Sequence, residues 1–308
     1  MLEMEEALKY VLVRNAFSLP VIERYKEVIR SENQSEVIEH LPCGPSVGWF
    51  GAKSAKKVLA YIHGGGLVMN GSVMQVGLAY NAYKLRGPDK DTAVALLAYD
   101  TCPVAPYPTQ LRQTVAFIQH LLKDHDPEDI ELFGESAGGT LILALLLHFS
   151  HPHPAVAPFS LPSGHRLGRT LLISPSAPVV TSAASMTENI GKDTITPDML
   201  SNLWAAIEAH HDPEVELVNH WLTPAIVLDK SWYEDLPIGG ITILIGALEL
   251  LRDDIIKVAG VIKEKHTSSV DIQIFPNAGH CLFLVEKMLD LPRSDYSLAI
   301  DRWIGEAH

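Results

Sequence analysis

Cysteine is scarce in this chain. There are three, Cys43, Cys102 and Cys281, scattered and odd in number. That is neither a disulfide framework nor a zinc pattern, and it fits a reducing compartment. Long apolar runs are also missing. None reaches the ~18 residues that span a bilayer, and Thr140 to Phe149 reads as a buried helix, so stable membrane insertion is not expected. Residues Met1 to Glu6 are acidic and lack a basic n-region, so a secretory signal is not expected and a cytoplasmic location is. Basic charge is in deficit: 24 Lys and Arg face 37 Asp and Glu, a formal net charge of −13. Nucleic acid and anionic membrane surfaces are therefore poor partners. The acidity is spread along the chain and reads as solubility. There is no dinucleotide glycine motif, no P-loop and no metal-ligand spacing, so no cofactor is expected. His151-Pro152-His153 lacks the helical or hairpin spacing of a metal site. A homodimer is left open.

What is present is apolar and alternating. With 308 residues, 47% of them hydrophobic, the chain suits one large α/β domain with an insertion, or two small domains. Val21, Ile22, Tyr25, Val28 and Ile29 recur at helical spacing, and Pro20 divides residues 1–30 into two helices. Two short strands flank a turn at Leu41 to Pro45. Strands are expected at Lys57–Ile62, Ala93–Tyr99, Asp129–Phe133, Arg169–Ile173, Ile241–Ile245 and Val270–Phe275. Helices are expected at Val76–Leu85, Thr109–Lys123, Thr140–Phe149, Leu250–His266 and Ser294–Gly305. Asp100 to Thr109, rich in proline, is expected to be a surface loop. The alternation implies a right-handed parallel sheet. It lapses between Thr181 and Glu234, a helix-prone stretch containing Met186, Met199, Leu203, Trp204, Ile207, Trp221, Trp232 and Tyr233. That stretch reads as a lid over the site described next, or as a helical excursion with its aromatics in its own core. His210 and His211 read as surface residues.

The strand ending at Phe133 runs into Gly134-Glu135-Ser136-Ala137-Gly138-Gly139 and leaves as a helix. Strand, Gly-x-Ser-x-Gly turn and helix together present a serine hydroxyl at a helix N-terminus, where partial positive charge suits a developing oxyanion. Alone, the pentapeptide could equally be a tight packing turn. The strand Lys57–Ile62 runs into His63-Gly64-Gly65-Gly66. Three glycines there allow close approach of a ligand to backbone N–H groups. Gly65 and Gly66, with Ala137, are the expected oxyanion hole, and His63 reads as an anchor for the loop. Later come Glu249, past one strand, and Gly279-His280, past the next. Ser136, an acid and His280 fall in the chain order of a nucleophile, an orienting carboxylate and a base. Glu249 is the preferred acid. Asp253 is the alternative, although acids in a first helical turn commonly complement the dipole. Cys281 reads as packing at a helix start rather than as a nucleophile.

These stretches, with Ala105-Pro106, Tyr107 to Leu111 and Leu251-Arg252-Asp253, resemble the hormone-sensitive-lipase-like group of α/β-hydrolases, especially fungal esterases and their relatives in secondary metabolism. The likeness runs from about residue 57 to 285. It implies an α/β-hydrolase fold: a mostly parallel twisted sheet with helices on both faces and a helical cap. Residues 1–30 and 181–235 would form the cap, and 31–180 with 236–308 the core. It also implies Gly65, Gly66 and Ala137 as oxyanion donors. The chain departs from the family where Glu249-Leu250 replaces Asp-Pro, where Glu135 stands for Asp, where Ser176 stands for Trp, and in a shortened loop over Thr101–Pro108. The expected activity is that of a serine esterase on a small to medium apolar ester. The same triad could instead release a thioester, cyclise, transfer an acyl group or act as a lyase. A non-catalytic binding protein on this scaffold is a third reading.

Overall fold

The computed structural model describes residues 18–42, 44–87 and 91–306. The helix expected before Pro20 and Cys43 lie in whole or large part outside them. In chain order the elements are α1 (Val21–Ser31), β1 (Ile38–His40), β2 (Ser46–Phe50), β3 (Lys57–Ile62), α2 (Val73–Arg86), β4 (Thr92–Ala98), α3 (Thr109–Leu121), β5 (Ile130–Glu135), α4 (Ala137–Ser150) and β6 (Leu167–Ile173). They continue as α5 (Ser185–Glu188), α6 (Pro197–Glu208), β7 (Ile238–Gly246), α7 (Arg252–Lys265), β8 (Ser269–Phe275), α8 (Leu282–Met288) and α9 (Asp295–Gly305).

The strands form one sheet in the order β1-β2-β4-β3-β5-β6-β7-β8. β1 and β2 join antiparallel, β2 joins β4 antiparallel, and every later pairing is parallel. This is the α/β-hydrolase fold.

Strand alternation explains why both faces carry helices. In β3, Val58, Ala60 and Ile62 enter one core, and Leu59 and Tyr61 the other. In β4, Ala93, Ala95 and Leu97 part from Val94 and Leu96 in the same way. Successive side chains point to opposite faces, so an unbroken apolar strand demands cover on both. Helices α3, α4 and α7 cover one face; α1, α2 and α9 cover the other. Every residue of α4 from Ala137 to His148 is buried, as befits a helix apolar all round.

Four local features differ from the sequence expectations. Helix α2 starts at Val73 rather than Val76, because Ser72 and Gln75 form a reciprocal capping box. Strand β5 continues to Glu135, which pairs with Ile173 of β6. The loop over 100–108 is not simply superficial. Cys102 and Tyr107 are buried, and the Cys102 N–H donates to the Leu67 carbonyl at 2.8 Å. The segment 181–235 holds α5, α6 and a 3-10 turn at Lys230–Tyr233, while 209–229 is irregular.

A buried charge cluster closes the far end of the sheet. Arg86 reaches Glu131 at 2.6 Å and Arg169 reaches it at 3.1 Å. Arg86 Nε also donates to the Ile304 carbonyl at 2.6 Å, and Arg169 to that of Trp303 at 2.7 Å. The cluster thereby ties α2, β5 and β6 to the end of α9. Among the described residues no helix is long and apolar enough to cross a membrane.

Candidate active site

Five parallel-strand ends converge where such sheets hold their ligands. The turn after β5 is the most constrained. Ser136 has φ +53°, a left-handed value that an L side chain rarely adopts. Its N–H donates to the Ile173 carbonyl at 2.8 Å, which ties the turn to β6. The turn needs its glycines. A Cβ on Gly138 would stand 2.1 Å from the Ile62 carbonyl oxygen, and one on Gly134 2.7 Å from it. From Ile130 to His148 every residue is buried except Ser136. The fold thus exposes one side chain of a sealed strand and helix.

His280, on the loop after β8, places Nε2 2.8 Å from Ser136 Oγ. Its Nδ1 lies 3.0 Å from Glu249 Oε2. The other Glu249 oxygen accepts from Ser174 Oγ at 2.6 Å and from the Gly246 N–H at 2.5 Å. Ser174 Oγ in turn lies 2.8 Å from the Tyr296 hydroxyl. Asp253 is not brought to His280. Its carboxylate takes the Arg252 Nε–H at 2.7 Å and the Ser185 N–H at 2.9 Å. Burial opposes the His280 imidazolium, and the neighbouring Cys281 and then the Glu249 carboxylate favour it; the net shift is upward from the ordinary histidine range. Burial pushes the Cys281 thiol up, against the pull of His280.

The loop after β3 passes directly beside the serine: a Cβ on Gly64 would stand 3.0 Å from Ser136 Cβ. Gly65 and Gly66 both take positive φ, +110° and +61°. No acceptor among the described residues takes the N–H of Gly65, Gly66 or Ala137. Burial drives the His63 pKa to about 4, so its ring is neutral. The ring lies 2.7 Å from the Gly64 carbonyl through Nδ1 and stacks on Tyr99 at 4.2 Å. The Tyr99 hydroxyl donates to the His63 carbonyl at 2.9 Å.

Glu135 braces this loop from below. Its carboxyl accepts from the Gly64 N–H at 2.5 Å, from Gln75 at 2.5 Å and from the Tyr61 hydroxyl at 2.8 Å. Burial raises its pKa to about 7 although all three donors favour the anion. The sequence marked Glu135 only as a substitution within the motif.

The cavity above Ser136 measures about 190 Å³. Met69, Met74, Met199 and Met288 line it, with Leu200, Leu203 and Val285. The tryptophans expected over the serine lie elsewhere. Trp232 stacks on His151 at 4.2 Å and on His220 at 3.9 Å, and Trp221 packs edge-on against His153 at 4.7 Å. His151 and His153 are therefore packing partners for the aromatics of residues 220–233, while His165 meets Glu128 at 2.8 Å. Among the described residues no group of three or more His, Cys, Asp or Glu could hold a metal ion.

Residues 59–284 match the sequence profile of the alpha/beta hydrolase fold, and the chain belongs to that family. Solved structures agree on the fold. A carboxyl esterase of the mycorrhizal fungus Tuber melanosporum superposes with a TM-score of 0.70 at 20% identity, covering 88% of this chain and 85% of that one. A fungal esterase of Rhizomucor miehei gives 0.68 at 18%, covering 88% and 81%. An esterase of the bacterial hormone-sensitive lipase family gives 0.65 at 22%, covering 88% and 82%. At these identities the likeness is one of fold. A comparison with curated proteins found no match.

Proposed function

We propose that this chain is a carboxylic ester hydrolase with Ser136 as nucleophile, His280 as general base and acid, and Glu249 as the orienting carboxylate. The observation that carries the reading is the unbroken chain from Ser136 Oγ through His280 to Glu249, at 2.8 and 3.0 Å, opening on an apolar cavity. In the first half-reaction Ser136 Oγ attacks the ester carbonyl and His280 Nε2 takes its proton. The N–H groups of Gly65, Gly66 and Ala137 would receive the oxyanion. His280 then returns the proton to the departing alcohol. In the second half-reaction His280 activates water against the acyl–serine ester, and the acid leaves. Glu249 holds the imidazole tautomer and favours its protonated form.

The substrate class follows from the wall. Among the described residues its ionisable side chains are Glu135, His280 and Cys281; none is Lys or Arg. A described lining of mostly aliphatic and thioether groups suits an uncharged ester of small to medium apolar parts. The decisive experiment is intact mass after exposure to a small fluorophosphonate, with p-nitrophenyl acyl esters as substrates. One adduct and turnover, both abolished in Ser136→Ala, support the proposal. No adduct and no turnover from the folded chain would sink it.

A further inference from the structure

Glu249 and His280 belong to separate loops, after β7 and β8. The loops are joined near their roots, where the Ala247 N–H donates to the Phe275 carbonyl and the Leu248 N–H to the Ala278 carbonyl, both at 2.9 Å. Further out, at Leu250 and His280, one carboxylate from outside both loops bridges them. Asp193 Oδ2 accepts the Leu250 N–H at 2.6 Å, and Asp193 Oδ1 accepts the His280 N–H at 2.6 Å. Thr194 adds its own N–H to Oδ1 at 2.6 Å, and its hydroxyl donates to the His280 carbonyl at 2.5 Å. Nearby, Asn189 donates to the Glu249 carbonyl at 2.8 Å and the Ala247 carbonyl at 3.1 Å. The fit is close. A Cβ on Gly279 would come within 3.0 Å of Asp193 Oδ1 and 3.2 Å of the Thr194 nitrogen. Gly279 thus leaves room for this bridge beside His280.

We infer that Asp193 is a positioning residue, whose two carboxylate oxygens hold the Glu249 loop and the His280 loop at the separation the triad requires. The inference rests on the hydrolase reading above. Asp193 touches neither substrate nor a reacting atom and acts through backbone N–H groups. It belongs to the segment between β6 and β7, the same segment that supplies Thr194, Ile195, Met199, Leu200 and Leu203 to the cavity wall. Contact between substrate and that wall therefore bears on the segment that sets the geometry of the base and its acid. A carboxylate suits this task better than an amide. Both oxygens face N–H donors, so Asn would turn its own NH2 toward one of them.

The test is steady-state kinetics across pH for Asp193→Asn, an isosteric change. Misplacing a catalytic group by about 1 Å costs on the order of 10²-fold. The expected result is a fall in kcat of roughly 10- to 100-fold with KM little changed. The acid limb of the pH profile, which reports His280 facing Glu249 and Cys281, moves to lower pH as the Glu249 contact loosens. In a Glu249→Gln background the same change has little further effect, because the interaction it maintains is already gone. Asp193→Glu, which keeps two acceptors, retains more kcat than Asp193→Asn. Wild-type kcat in Asp193→Asn, an unmoved acid limb, full multiplicativity with Glu249→Gln, or Asp193→Glu falling below Asp193→Asn would each overturn the inference. Failure of the hydrolase reading looks different: the unaltered chain itself shows neither adduct nor turnover.

Discussion

Glu249 Oε2 and His280 Nδ1 stand 3.0 Å apart across 31 residues of chain, the acid fully buried and the imidazole 7% exposed. The contact fixes the ring tautomer, so that Nε2 faces Ser136 as an acceptor. Glu249→Gln keeps the shape and removes the charge. It is expected to lower kcat by roughly 10²- to 10⁴-fold. Asp253→Asn disturbs an ion pair with Arg252 and a bond from Ser185, away from the imidazole. Its kcat is expected to stay within about threefold of wild type, since surface changes away from the chemistry have small effects. Reversal of that order in p-nitrophenyl ester turnover would move the acid to Asp253.

The pH profile follows from the same pair. In the proposed mechanism turnover needs neutral His280 to accept the serine proton, so activity is expected to be lost as pH falls through its pKa. Burial opposes protonation, and Cys281 and then Glu249 promote it, with a net upward shift. The acid limb of kcat/KM therefore lies above the ordinary imidazole value of about 6.5. In Glu249→Gln burial is opposed by Cys281 alone, and the limb of the residual activity moves down. A limb below 6.5 in the unaltered chain would contradict the reading.

Glu135 predicts a stability signature separate from catalysis. Its folded pKa of about 7 lies above the ordinary glutamate value of 4.5. Between those values the folded state holds a proton that the unfolded chain has released. Stability from this group is therefore full at low pH, falls as pH rises from about 4.5 to about 7, and is level above that. The amplitude is about 3 kcal/mol. Urea midpoints measured across that window should fall with pH in the wild type. The fall should be smaller in Glu135→Gln by that amplitude. Equal slopes in the two proteins would mean that Glu135 is ionised throughout.

Glu131 is the test of the far end of the sheet. It neutralises Arg86, whose side chain is fully buried, and also meets Arg169. Glu131→Ala strands buried positive charge and is expected to cost about 3–5 kcal/mol. The pair lies at the opposite sheet end from Ser136, so fluorophosphonate labelling per folded molecule should persist. A melting temperature unchanged within a degree would show that the cluster is dispensable.

Much of this was legible in the sequence because the local rules are stringent. The turn at Ser136 forces glycine at 134 and 138, where a side chain would strike the Ile62 carbonyl. Apolar strands at regular intervals demanded helices on both faces. What escaped reading acts through backbone atoms at long range. Asp193 binds N–H groups 57 and 87 residues away, and any residue but proline can supply an N–H. Glu135 looked like a motif variant until Gly64, Gln75 and Tyr61 converged on it. The tryptophans misled because hydrophobic spacing says that a ring is covered, not by what. Here His151, His153 and His220 cover them. Helix α8 is legible only as a start at Cys281, because its seven residues are too few to show a sustained pattern.

The lack of Lys and Arg in the described wall of the cavity has a consequence at the end of each cycle. Hydrolysis would leave a carboxylic acid that ionises as it forms, in a chamber whose described lining offers it no Lys or Arg and sets Glu135 close by. Above the pKa of His280, the one potential cation of that lining, such an anion has no counter-ion in apolar surroundings and is poorly held. The neutral alcohol has no such reason to go. Product inhibition should accordingly come from the alcohol, and accumulating carboxylate should leave the rate nearly untouched.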